Sequence, residues 1–105
     1  MDRLNHPLVL IAEKLQLKDF PEEHSYQELF EHLAQYLDDL IAHDFNKLVS
    51  ILYRIDVSED KARKSLAEEA SLRSPGHTLA RLLIERESEK IKFRQQYRSK
   101  SSEGQ

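Results

Sequence analysis

Apolar residues recur along this chain at three- and four-residue intervals, the signature of helices with one buried face. Leu8, Ile11, Ala12 and Leu15 follow Pro7, a favoured first helical residue, with Asn5 or His6 before it, and predict a first helix over about 7–17. Residues 18–24 hold Pro21 between Phe20 and two glutamates and read as a connector anchored by Phe20. Ser25-Tyr26-Gln27-Glu28 is a capping box, and it fixes the start of a second helix. In that helix Leu29, Phe30, Leu33, Leu37, Leu40 and Ile41 form one apolar stripe.

Asp44 caps a third helix, Phe45 to about Ile55, whose Phe45, Leu48, Val49, Ile51, Leu52 and Ile55 cover more than half its circumference. Such a helix is expected at the centre of the fold. Ser58 caps a fourth helix to about Ala70, with Val57 and Ala62 placed as a hydrophobic staple. Leu66 is its one large apolar residue, so this element is expected to be the loosest. Ser74-Pro75 opens a long last helix to about Tyr97 or Arg98. The expectation is one all-α domain over residues 1–98, a compact bundle of about five helices with a long C-terminal helix, followed by a polar disordered tail over 99–105.

Composition agrees. Only 2 glycines in 105 residues leave little material for hairpin turns. The absence of cysteine excludes disulfides, thiolate catalysis and cysteine-ligated metal, and suits a reducing, cytoplasmic setting. The longest apolar run, Leu8 to Ala12, is far too short to span a bilayer and too short for a secretory leader, so no membrane partner is expected. Net charge is -3, but residues 1–80 carry 9 basic and 15 acidic side chains whereas 81–105 carry 7 and 4. An acidic body with a basic end confines any nucleic-acid footprint to the last helix.

Candidate chemistry is sparse, with no catalytic or cofactor-binding motif. Glu28, His32, Asp39 and His43 share one side of the second helix and could in principle ligate a divalent metal. A solvated charged face accounts for them equally well, because they lie opposite the apolar stripe, and no bound metal is expected. No serine-histidine-carboxylate set can be assembled from the sequence.

Residues 51–66 resemble a helix-turn-helix, with Val57-Ser58 at the turn and Ala62 and Leu66 facing inward. They depart from it in Leu52, where a small residue is favoured, in Asp56 for the usual glycine, and in Ser65 for an apolar contact. Glu59 and Asp60 would also face phosphate oxygens. On the last helix, Glu87 with Lys90 reads as surface pairing. Leu79, Leu82, Leu83, Phe93 and Tyr97 make one stripe, while Ile84 and Ile91 lie on another side. Ile84, Ile91, Phe93, Arg94, Tyr97 and Arg98 are therefore a candidate interaction surface, with Glu31, Asp38 and Asp39 of a second copy offering opposite charge.

The strings Phe45-Asn46-Lys47-Leu48-Val49, Leu52-Tyr53-Arg54-Ile55-Asp56-Val57-Ser58-Glu59 and Leu82-Leu83-Ile84-Glu85-Arg86 resemble a family of small bacterial all-helical proteins of unknown function. The likeness implies a stand-alone cytosolic protein and carries no site residues. The expected function is non-enzymatic protein-protein interaction or scaffolding, as a homodimer or with another protein. The alternative is a nucleic-acid-binding regulatory module using the 51–66 corner or the basic last helix.

Overall fold

The computed structural model describes residues 6–17 and 25–103, with side chains described through Tyr97. These residues form α1 (Pro7–Leu15), α2 (Tyr26–His43), α3 (Phe45–Ile55), α4 (Glu59–Glu69) and α5 (Pro75–Glu103), with no strand among them. The connector expected around Phe20 lies outside the described residues.

The helix starts follow from local capping. His6 Nδ1 accepts the Leu8 amide at 3.1 Å, and the His6 ring stacks on Tyr26, joining α1 to α2. Ser25 Oγ accepts the Glu28 amide at 3.2 Å while Glu28 Oε1 accepts the Ser25 amide at 3.0 Å, so the capping box is complete. Asp44 and Ser58 do the same for α3 and α4 through the Lys47 and Lys61 amides. Such a cap contributes about 1 kcal/mol. Helices α1 and α3 end on left-handed residues, Gln16 at φ 55° and Asp56 at φ 68°. The first helix is therefore shorter than its apolar pattern predicts, ending at Leu15.

The core is built on α2 and α5, not on α3. The two long helices share the most extensive contact in the molecule, with α1 and α4 laid on α5 and α3 against α2. Leu29, Leu33, Ala34, Leu37 and Leu40 of α2 are buried together with Leu79, Ala80, Leu82 and Leu83 of α5. In α3 only Leu48, Ile51 and Ile55 are buried, while Val49 and Leu52 are half-buried and Phe45 and Tyr53 are 60% and 82% exposed. Its wide apolar circumference thus marks a peripheral helix with an uncovered side.

Close approach of α2 and α5 depends on small residues. A Cβ added to Gly76 would lie inside the van der Waals envelope of the Ala34 carbonyl oxygen and 2.6 Å from Asp38 Cγ. The Gly76 amide donates to Asp38 Oδ1 at 2.7 Å. Helix α4 has one buried apolar residue, Ala62, and is tied down instead by Glu69, which accepts from Thr78 Oγ1 at 3.0 Å and from Arg81.

Two expectations for α5 are corrected. The helix continues to Glu103, past the end anticipated at Tyr97 or Arg98, since no proline or glycine intervenes before Gly104. Glu87 is not a surface residue but 0% exposed, with Oε2 held by Lys14 at 2.7 Å and Lys90 at 3.6 Å. No hydrogen-bond donor among the described residues reaches its Oε1. Lys90 Nζ also donates to the Ile55 carbonyl at 2.6 Å, locking the end of α3 onto α5.

Candidate functional site

Because α3 lies mainly against α2, with smaller contacts to α5 and α1, while α4 lies mainly against α5, α3 and α4 share little contact with each other. They diverge from the Asp56–Ser58 corner and leave an apolar groove of about 670 Å³ between them and the first turns of α5. Leu48, Leu79 and Ala62 form its buried floor, and Val49, Leu52 and Leu66 its half-buried walls. Phe45 and Tyr53 stand at the rim, and Asp56, Ser58, Glu59, Arg63 and Arg73 supply its polar margin. Its size and largely apolar lining with a few polar groups fit a binding groove.

The corner is fixed from below by Arg86. Its Nε donates to the Asp56 carbonyl at 3.1 Å and its Nη2 to Asp56 Oδ2 at 2.9 Å, while Nη1 reaches Glu89 Oε1 at 3.2 Å. The hydrogen bond from Arg86, aided by its charge, holds the Asp56 carboxyl below the ordinary carboxylate range. Asp56 in turn raises the Arg86 guanidinium, with Glu89 adding to the effect. A depressed folded-state pKa contributes stability that is present above the unfolded value of 3.8 and is lost as pH falls through the folded one. In an NMR titration the Asp56 carboxyl should therefore ionise at lower pH in the wild type than in Arg86→Gln; coincident curves would show that the contact does not form in solution.

The helix-turn-helix resemblance survives only at this corner. Asp56 adopts the left-handed turn that glycine usually takes, but α4 does not pack across α3, and its exposed first turn presents Glu59 and Asp60. Glu59 is paired with Arg63 at 3.0 Å. A helix leading with carboxylates would repel a phosphate backbone.

The structure does bring together a serine, a histidine and a carboxylate, against the sequence expectation. Ser74 Oγ lies 2.6 Å from His77 Nδ1, and His77 Nε2 lies 2.7 Å from Glu31 Oε1. Residues 31 and 77 are too far apart in the chain for spacing to reveal this. Ser74 is nevertheless a helix cap: its hydroxyl donates to Asp38 Oδ2 at 2.8 Å and its oxygen accepts the His77 amide at 3.2 Å. None of Ser74, His77 and Glu31 lines the groove. The cluster is explained by anchoring the start of α5 on α2, and it engages two of the three acids, Glu31 and Asp38, that a second copy was expected to meet.

Of the candidate metal ligands, Glu28 belongs to the capping box, His32 is half-buried, and Asp39 and His43 are exposed. Among the described residues no three histidine, aspartate or glutamate side chains converge closely enough to hold a metal ion.

The candidate surface on α5 divides. Ile84 packs against the core. Ile91 is half-buried and sits about 160° around the helix from Phe93. Phe93 and Tyr97 are 68% and 67% exposed and stack on each other with ring centroids 6.5 Å apart, and Arg94 beside them is exposed. The Arg98 side chain lies outside those described. The stripe through Leu79, Leu82 and Leu83 keeps its helical register as far as Phe93, which no described helix covers.

No protein-family model, curated protein or solved structure matches this chain. No described helix is long and apolar enough to cross a membrane.

Proposed function

We propose that the protein is a non-enzymatic interaction module that holds the apolar edge of a partner helix in the groove between α3, α4 and the start of α5. The observation that supports this most directly is the divergence of α3 and α4, which leaves Val49, Leu52 and Leu66 half-covered over a buried floor and Phe45 and Tyr53 open at the rim. An amphipathic helix presenting apolar anchors one turn apart is the ligand such a groove suits. The acidic leading turn of α4 weighs against the nucleic-acid alternative, for which only the basic end of α5 remains.

Selection from a library of displayed helical peptides tests the proposal. Binders should carry apolar residues at i and i+4, and should lose affinity for both Leu66→Glu and Phe45→Glu. Binders indifferent to both substitutions, or retention of the protein on DNA or RNA that declines steeply with salt, would replace this reading.

A further inference from the structure

The aromatic pair on α5 has no partner within the described chain. At 1.5 Å per residue the 29 residues of α5 run for about 43 Å. Residues 92–97 are all exposed, so this section of α5 stands clear of the other described helices as an arm. Phe93 and Tyr97, one turn apart, form an apolar edge on that arm. Lys92 and Arg94 flank the edge and are exposed.

We infer that the groove's occupant is the arm of a second copy of this chain, so that two molecules form a reciprocal dimer with the Phe93–Tyr97 edge of each in the α3–α4 groove of the other. This rests on the groove reading above, and three observations favour a second copy over an unrelated helix. The first is register. Leu79 in the groove floor, Arg86 and Phe93 are spaced by seven residues and share one side of α5, so groove and aromatic edge face the same way at opposite ends of one helix. The Asp56 corner covers Arg86 between them, so a two-fold axis passing outside that corner, with the two α5 helices running in opposite directions, brings each edge to the other molecule's groove. This gives a closed, self-complementary contact.

The second is charge. Residues 92–103 carry four basic side chains and one acidic, whereas residues 1–80 carry 9 basic and 15 acidic. The arm of one copy is thus attracted to the body of another. At the groove itself Asp56 and Glu59 are paired with Arg86 and Arg63, so the attraction is of arm to body rather than of arm to groove lining.

The third is area. Two exposed aromatics on each of two arms, with an equal surface opposite them, bring about 1,200 Å² out of water, the lower limit for a specific interface. A single arm in a single groove would cover half of that, so the contact is weaker when made once, and making it twice closes the dimer at micromolar concentration.

Sedimentation of the full chain at micromolar concentration provides the first test. The wild type should be a dimer, and Phe93→Glu and Tyr97→Glu on the arm should each weaken it by about 30-fold or more, as should Leu66→Glu in the groove. Phe45→Glu, at an exposed first helical position, guards against misfolding of the Leu66 variant. A monomeric wild type, or a dimer that ignores the arm substitutions, overturns the inference.

Mixing distinguishes arm-in-groove from arm-on-arm contact. Phe93→Glu keeps an intact groove and Leu66→Glu an intact arm. At the near-millimolar concentration of an NMR sample, which populates the weaker single contact, resonances of Leu48, Leu52 and Ala62 in isotope-labelled Phe93→Glu should therefore shift when unlabelled Leu66→Glu is added, and not when more Phe93→Glu is added. No shift in the first mixture overturns the inference. If the wild type is monomeric while library peptides still require Leu66 and Phe45, the groove takes a different partner. If neither binds, the groove reading falls as well.

Discussion

Replacing Gly76 by alanine is expected to destabilise the protein by about 3 kcal/mol or more. In an ordinary exposed helix the same change would stabilise by about 1 kcal/mol, because glycine is the poorer helix former. The sign reverses here because the added methyl would enter the space of the Ala34 carbonyl oxygen and press on Asp38. A side chain can rotate away, but the carbonyl is held by α2, so the two helices must separate. Separation would stretch the 2.7 Å bond from the Gly76 amide to Asp38 Oδ1 and loosen the buried layer of Ala34, Leu37 and Leu79 beneath it. Urea denaturation of the single variant and of Gly76→Ala in an Asp38→Ala background measures this. Removing the aspartate should not restore stability, since the backbone contact remains. A loss below about 1 kcal/mol would mean that α2 and α5 do not approach this closely.

What the sequence made legible was local. The caps at Ser25, Asp44 and Ser58 act over three residues, and the starts of α2, α3 and α4 were read from them correctly. The all-helical class followed from periodicity and scarce glycine. Relations between helices were not legible. Six apolar residues around α3 suggested a central helix, but a count of apolar positions does not say how many of them are covered. Phe45 and Tyr53 face outward, and α2 with α5 takes the centre.

Glu87 was read as half of a surface pair because Lys90 follows it by three. Its burial depends on Lys14, 73 residues away. One signal was present: Glu87 lies one turn beyond Leu83 and two beyond Leu79, on the buried side of α5. Likewise Ser74, His77, Glu31 and Asp38 meet across 36 to 46 residues, which no local motif encodes. The candidate site was only partly legible: residues 51–66 stand out in the sequence as a corner, but the groove beside them exists because α3 packs mainly on α2 whereas α4 packs on α5.

The relative importance of α3 and α5 can be measured directly with two leucines. Leu83 is fully buried in the core, so Leu83→Ala removes apolar contacts and leaves a cavity in packed surroundings, at an expected cost of about 2 to 5 kcal/mol. Leu52 is half-buried in the groove wall and already borders open space, so its truncation leaves little cavity and should cost about 1 kcal/mol. The comparison is informative because the residue type and the substitution are identical and only the surroundings differ. Urea midpoints with unchanged slopes would report it cleanly. Equal losses at the two positions would place α3 at the centre and close the groove. A large difference in the expected direction keeps α3 peripheral, with Leu52 free to contact whatever enters the groove.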